Sequence, residues 1–559
     1  MTTRTALRLA LSLLALAGAV LAAGLPLPLP LTQLDFRVPG TQPGDVDPQV
    51  MRPAAECRVC HGDIDPATDP WSTWAGSLMA LGGRDPLFFA QMSTANQDVD
   101  NVGSYCLRCH VPNAVITGHV VPPDGSALDG RDLEGVGCHF CHTLVDPDYR
   151  EGISPPEDEA ILAALDEVPP ATGNAMFVLD PEDRRRGPRA DAQPPHGSLH
   201  SPYHTDSALC GSCHDVGNVA TIRLPDGSWR YNAIDAPAPE ADPWMQFPLE
   251  RTYTEWKLSA FGQGGVDMGG RFGGTRGPLV SSCQDCHMPG VVARACVFGP
   301  ERQDVASHAF AGAAAQSLDL IAAHTQGDPT VDKGAIAAGR ARAVDMLQRA
   351  ASVHLRREEG AVVARVVNHS GHKLPTGHIE GRRVWLNIRW LDGAGGLLGE
   401  QGHYDEAQAE LDESTTTVYE MLVGLSEDAA AATGLPAGPT GHMALADTIV
   451  KDSRIPPMGF ANAAFEAGGA PVVAHAYADG QHWHARTYPM PPGTARVEAT
   501  LYYQSLPKSY IEHLRDGNHT DHWGETLHAL WMQTGRGAPI AMATRQLVLD
   551  EVILQVGFD

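Results

Sequence analysis

Past its first twenty-five residues the chain has no apolar run that reads as a membrane span, and past position 296 it has no cysteine. A span needs roughly 17–25 apolar residues, so the first absence excludes a protein that crosses a bilayer repeatedly. The second confines any chemistry of thiol sulfur to the first 296 positions. Basic residues are also few, 40 Lys plus Arg against 67 Asp plus Glu, for a formal net charge of -27. A surface that acidic disfavours DNA, RNA and anionic lipid headgroups, and suits a basic protein partner. The 58 glycines and 43 prolines argue for many loops and against a long-helix protein. A length of 559 residues exceeds what one core usually organises, so two or three domains are expected.

At the start, Arg4 and Arg8 precede an apolar run from Leu9 to Leu25, with Ala19, Ala22 and Ala23 as small residues near its end. This is the pattern of an export signal, assigned to residues 1–24. The run is also about long enough for an uncleaved anchor, and that reading stays open. Residues 25–56, beginning with a Leu-Pro alternation, read as an extended leader or tether.

Ten of the eleven cysteines fall in five Cys-x-x-Cys-His units. They are Cys57, Cys60 and His61; Cys106, Cys109 and His110; Cys138, Cys141 and His142; Cys210, Cys213 and His214; and Cys283, Cys286 and His287. This unit is the attachment signature of haem c. Two thiols three positions apart meet the two vinyl groups on one porphyrin edge, and the following histidine reaches the iron from one face. Zinc sites would not need a histidine after every pair, and disulfides would not need it at all. The expected cofactors are therefore five haem c, with His61, His110, His142, His214 and His287 as iron ligands. Cys296 stands alone and reads as a buried free thiol.

The pair starts are separated by 49, 32, 72 and 73 residues, so cofactors rather than a large apolar core are expected to fill much of the first half. The fold class expected is a haem-packed, mostly helical and loop N-terminal region, a mostly β C-terminal domain and a helical tail. The boundaries are 57–358 for the five-motif domain, 359–505 for the β domain and 506–559 for the mixed tail. Helices are expected over Trp74–Leu81, Pro155–Leu165, Ala311–Thr325, Lys333–His354 and Tyr510–Gln533, the last weakened by Gly517 and Gly524. Strand-type residues fill 361–367, 383–390 and 495–503.

Each iron needs a ligand on its other side: a second histidine closes it, methionine raises its potential, and an open side admits small molecules. Five of the 25 histidines are proximal, leaving 20. His119 follows His110 by nine residues, and His196, His200 and His204 cluster before the fourth motif, making His119, His200 and His204 candidate sixth ligands. His139, inside the third motif, is expected to face away from its own iron. By residue type alone Met79 belongs to the core.

Several stretches together carry a family resemblance. They are Trp74-Ala75-Gly76-Ser77-Leu78-Met79-Ala80 with Arg84-Asp85-Pro86, Glu134-Gly135-Val136 before the third motif, and Ser201-Pro202-Tyr203-His204 before the fourth. Glu255-Trp256 with Cys283-Gln284-Asp285-Cys286-His287-Met288-Pro289, His308-Ala309-Phe310-Ala311-Gly312, and Asn368-His369-Ser370-Gly371-His372-Lys373-Leu374-Pro375-Thr376-Gly377 followed by Arg382-Arg383-Val384-Trp385-Leu386 complete the set. Over about 57–390 the chain resembles the multihaem cytochrome c family, specifically periplasmic or extracellular members related to the tetrahaem cytochromes of ammonia oxidisers. The resemblance implies His308 and His372 as distal ligands and makes Met79 a candidate for one higher-potential haem. The long C-terminal domain departs from the smaller members.

The expected function is transfer of electrons along covalently bound haems, in the periplasm or at the cell surface. Redox protein partners with basic faces, a homo-oligomer or a larger electron-transfer complex are the expected company; nucleic acid is not, and membrane contact only through an uncleaved anchor. Two alternatives stand beside it. One is a multihaem oxidoreductase with one open haem acting on a small nitrogen or sulphur compound, drawing on His475, His482, His484, His519 or His522 (a copper site at His482-Trp483-His484 belongs with it). The other is a structural subunit of an electron conduit or haem filament, with the β domain as a docking module.

Overall fold

The computed structural model describes residues 27–549, so the expected export signal at 1–24 lies outside the described residues. The first half carries short helices joined by loops and small two-stranded ladders; the second half carries the two largest sheets. Among the described residues no helix is long and apolar enough to cross a membrane.

Each Cys-x-x-Cys-His motif begins on, or forms, a short helical turn. The helices are α1 (Ala54–His61), α3 (Val102–His110), α4 (Cys138–His142), α5 (Ser207–Gly211) and α7 (Cys283–His287). Between the first two runs α2 (Pro86–Asp98), which buries Phe88, Phe89 and Met92 and is capped by Asp85 accepting from Leu87 N. α6 (Thr252–Lys257) precedes the fifth motif, and α8 (Ala315–His324) and α9 (Lys333–Ala350) pack together after it.

The leader is not a free tether. Leu29, Leu31, Phe36, Val38, Val46 and Met51 are buried, and Leu29 bridges to the end of α2 through hydrogen bonds with Asp98 O and Asp100 N. Its apolar residues find a core to enter, which outweighs its lack of regular structure. The helix expected over Trp74–Leu81 is instead a short α-helix, Pro70–Ala75, then a 3₁₀ segment, Met79–Arg84. The break falls at Gly76, whose backbone presses against Ala335 and Gly339 of α9 so closely that a Cβ would collide. Lys333–His354 likewise ends as a helix at Ala350, and His354 lies in the following strand.

Two antiparallel sheets dominate the second half, beside a smaller one of three short strands, Met421–Leu425, Gly438–Pro439 and Thr448–Asp452. β3 (Ala351–Glu358), β4 (Ala361–Asn368) and β8 (Trp483–Pro489) form one, with β4 central. The other runs β6 (Leu397–Gln401), β5 (Arg383–Leu391), β9 (Arg496–Gln504) and β10 (Ile540–Val548). Burial alternates strictly along β4 and nearly so along β9, as a half-covered strand requires. Their inner faces share one core of Val353, Val362, Ala364, Leu386, Ile388, Trp390, Ala499 and Leu501. β-structure thus reaches beyond 359–505 at both ends, and a strand closes the tail. The tail helix is two helices, α10 (Lys508–Asp516) and α11 (Trp523–Gln533), packed on each other. They part at Gly517–His522, and Gly524 sits against the Leu514 carbonyl with no room for a Cβ.

Asp85 is buried, and that burial pushes its carboxyl from 3.8 to about 6. A folded-state value above the unfolded one gives stability that is complete below about pH 4 and lost as pH rises through about 6. Asp85→Asn keeps the cap acceptor and removes the titration. Urea unfolding of the wild type is expected to weaken by on the order of 2–3 kcal/mol between pH 4 and 7 relative to Asp85→Asn; parallel pH profiles would contradict this.

Candidate cofactor centre

Within a helical turn, residues three and four apart share a face. A Cys-x-x-Cys-His unit on such a turn therefore presents two thiols and an imidazole together, and all eleven cysteines are free thiols. Across motifs, the Cys57 thiol lies beside that of Cys138, Cys109 beside Cys213 and Cys210 beside Cys283. Cys141 and Cys213 border one apolar cluster with Cys106 and Cys109. The five units thus form one connected set: first to third, third to fourth, fourth to fifth, with the second branching from the fourth.

The imidazoles are oriented by what their Nδ1 atoms meet. His61 Nδ1 lies 2.6 Å from Ala295 O, His142 Nδ1 2.7 Å from Arg186 O, and His287 Nδ1 2.7 Å from Ala311 O. A carbonyl there takes the Nδ1 proton and leaves Nε2 as the free ligand nitrogen, the usual supporting contact of a metal-binding histidine. The Arg186 carbonyl belongs to β1 (Arg184–Gly187), which pairs in parallel with β2 (Gly197–His200). Its position is set by the buried Arg186 guanidinium, held between Asp158 at 2.6 Å and Asp180 at 2.5 Å. His214 differs: its Nδ1 is 3.0 Å from the Glu250 carboxylate. Burial opposes charge on both partners, yet their pairing raises His214 to about 9 and lowers Glu250 to about 2. His110 differs again, lying flat against Phe88 with ring centres 4.1 Å apart and planes at 12°.

Two motif histidines face a second imidazole at a telling distance. Metal–nitrogen bonds of about 2 Å on each side, plus about 1 Å from nitrogen to ring centre, place coaxial imidazoles roughly 6 Å apart. His287 and His372 stand 6.4 Å apart at 17°, and His142 and His308 6.3 Å apart at 28°. His308 Nδ1 lies 3.0 Å from Ala306 O and His372 Nδ1 3.0 Å from Lys373 O, so both have Nε2 free. Burial holds both at about 4, neutral and able to coordinate at pH 7.

The other expected ligands fare differently. His204 stacks on His142 at 5.4 Å, but its Nε2 is engaged by Cys141 O at 3.0 Å and its buried Nδ1 has no partner, which makes it the weaker fit beside His308. His119 is turned toward Asp132, 2.5 Å from Nδ1, and His200 is exposed at the end of β2. Neither stacks on a motif histidine among the described residues. The backbone carbonyl of Met79 accepts from Val136 N and so braces the run into the third motif. His139 is buried and accepts from Arg52 N through Nδ1. Cys296 is half-buried, not buried as expected, because its neighbours Ala295 and Val297 turn their backbones toward the first motif. His484 pairs with Tyr419 Oη at 2.8 Å and sits beside His475, whereas His482 turns elsewhere, so the His-Trp-His triplet does not converge.

What sequence reasoning missed is the frame around His372. Lys373, Asp452, Arg454 and Glu255 form a buried four-charge cluster. Lys373 Nζ is 2.7 Å from Asp452 Oδ2, and Arg454 binds both Asp452 oxygens at 2.9 and 2.7 Å. Arg454 also lies 3.0 Å from Glu255 Oε1, as an ion pair without hydrogen-bond alignment. Glu255 Oε2 accepts from Lys373 N and Thr376 Oγ1. Asn368 completes the frame, donating to the carbonyls of His372, Ile455 and Pro456. The adjacent Lys373 was the available signal, since a lysine inside a Pro-Thr-Gly turn has to find a counter-charge if the turn is buried.

No family model matches the chain, and no curated protein is similar to it. Among solved structures it is similar to a penta-heme cytochrome c552 from Thermochromatium tepidum, with 19% identity over 90% of this chain and 100% of that chain and a TM-score of 0.48.

Removing Asp452 strands Lys373 and Arg454 in the interior. Asp452→Ala is expected to cost about 3–5 kcal/mol, measured as a lowered unfolding midpoint. A change below about 1 kcal/mol, the value of an exposed pair, would contradict the cluster's role.

Proposed function

We propose that the chain is an exported pentahaem c-type cytochrome that transfers electrons between redox partners. The observation that carries this is the joining of all five Cys-x-x-Cys-His units into one connected set, with two of their histidines facing a second imidazole across a gap of about the width one metal ion would fill. Haem c, thioether-bonded at each motif, supplies an iron that cycles between two oxidation states without proton chemistry. The chain's residues do the rest. The cysteines fix each porphyrin edge, and His61, His110, His142, His214 and His287 reach the irons. Neutral His308 and His372 close the third and fifth sites against substrates. The periplasm or cell surface is the proposed setting, and the charge of -27 suits partners with basic faces.

The Nδ1 partners grade the five ligands. A carboxylate makes an imidazole a stronger donor than a carbonyl does, favouring the oxidised iron. The fourth site is therefore the lowest in potential on this criterion. The second, where Phe88 lies against the ring and no Nδ1 acceptor stands among the described residues, is the highest.

Iron analysis of the holoprotein is expected to return five per chain, and low-temperature electron paramagnetic resonance to show low-spin signals for the closed sites. A stoichiometric high-spin signal would move the reading to an oxidoreductase with one open haem. Glu250→Gln is expected to raise one potential by about 60 mV, a tenfold step for one electron, in a spectroelectrochemical titration. Five unchanged potentials would remove the tuning role.

A further inference from the structure

The second attachment site is linked to the surface by a run of aromatic rings. Phe88 lies on His110 with ring centres 4.1 Å apart. Phe89 meets Phe88 edge-on at 5.2 Å, and Trp523 stacks on Phe89 at 4.6 Å with planes 15° apart. Both phenylalanines are buried. Trp523 is half-buried and is flanked by the exposed imidazoles of His522, at 5.0 Å, and His324, at 5.6 Å. Among the described residues no other motif histidine begins a run of ring contacts that ends on an exposed ring.

Trp523 does not arrive there by helix packing alone. The turn before α11 is pinned to α2 by Ser93 Oγ donating to Asp521 Oδ2 at 2.6 Å, Gln97 Nε2 to Gly517 O at 2.9 Å, and His519 N to Gln97 Oε1 at 2.6 Å. Asp521 Oδ1 then accepts from Trp523 N at 2.9 Å and fixes the start of the helix. Helix α2 thus carries Phe88 and Phe89 on one side of this joint and holds the surface turn on the other. Asp521 and Glu525, both exposed, put negative charge beside the indole.

We propose that Trp523 is an electron-exchange port: the surface point at which a one-electron redox protein with a cationic face docks and trades an electron with the haem of the second motif through Phe89 and Phe88. This rests on the pentahaem reading. Electronic coupling falls steeply across gaps between non-bonded atoms, so stacked and edge-on rings in contact carry it further than aliphatic packing of equal thickness. The second site also suits a terminal role, being the highest of the five in potential by its ligand contacts. In the step itself one electron leaves the reduced iron, the partner's oxidised centre gains it, and no bond forms or breaks; entry is the reverse. The acidic flank steers a cationic partner, which makes the encounter salt-sensitive.

The test uses the holoprotein with Cys296→Ser, so that a ruthenium polypyridyl photosensitiser can be tethered at the exposed Thr520→Cys beside the port, or at the exposed Ala478→Cys of the β half as a control. Flash excitation then times electron arrival at the haems. Trp523→Leu and Phe89→Leu are each expected to slow arrival from position 520 by about tenfold or more, one factor of ten per 1.4 kcal/mol of effective barrier. Both should leave the rate from position 478 and the five equilibrium potentials unchanged. The conservative Trp523→Phe and Phe89→Tyr, which keep the ring contacts and guard against a folding defect, should stay near the wild-type rate. Leucine variants with unaltered rates from position 520 would overturn the port. Mass spectrometry showing no haem on Cys106 and Cys109 would overturn the reading beneath it, and is read independently of the rates.

Discussion

Four buried charges hold the two halves of this molecule in register. Glu255 comes from the helix ahead of the fifth motif, Lys373 from the turn between β4 and β5, and Asp452 and Arg454 from a segment some eighty residues further on. Each would be costly to bury alone; together they neutralise one another, Glu255 accepts from Lys373 N in the His372 turn, and Lys373 Nζ donates to the carbonyls of Ala470 and Pro471. The cluster helps to keep an imidazole from the β half 6.4 Å from His287 of the motif half. The cluster therefore acts on the candidate centre through position alone. It also explains why a sandwich of two sheets stands directly beside a region of short helices.

Legibility in the sequence followed the range of the interaction involved. The five Cys-x-x-Cys-His units are legible because a thiol pair and its histidine are local: the pattern fits within five consecutive residues. His308 and His372 stand out in the sequence only through family resemblance, and each lies opposite a motif histidine through contacts far apart in the chain. His119 and His200 show the limit of proximity in sequence as a guide. The first is claimed by the Asp132 carboxylate, and the second ends an exposed strand. Helix ends were misjudged where a non-local contact intervened, at Gly76 against α9 and at Ala351, where pairing with Asn368 takes over from the helix. The alternating strands of the β half were legible because period-two burial is written residue by residue. The strand at 540–548 was not, since only its pairing with β9 reveals it.

The same contrast runs through the electrostatics. The overall acidity was evident from composition, yet the charges that shape the centre are individual and buried. Arg186 between Asp158 and Asp180 fixes the carbonyl that orients His142, and Glu250 alone distinguishes His214 from its counterparts. Five units of one pattern thereby fall into three kinds of surroundings: a carbonyl at His61, His142 and His287, a carboxylate at His214 and an aromatic ring at His110.

The placement of the last strand has a consequence for how the molecule is made. β10 pairs along the whole of β9 and packs beside β3, so the sandwich cannot close before residue 548 has emerged. All five attachment units precede residue 288. At about 5–20 residues per second the interval between them and the closing strand is on the order of ten to fifty seconds. During that interval the His372 turn has no finished sheet to hold it, and the motif half lies open on the side it will later cover. Late closure thus keeps the ten motif thiols reachable from solvent for as long as the last strand is unmade, and covers them only afterwards.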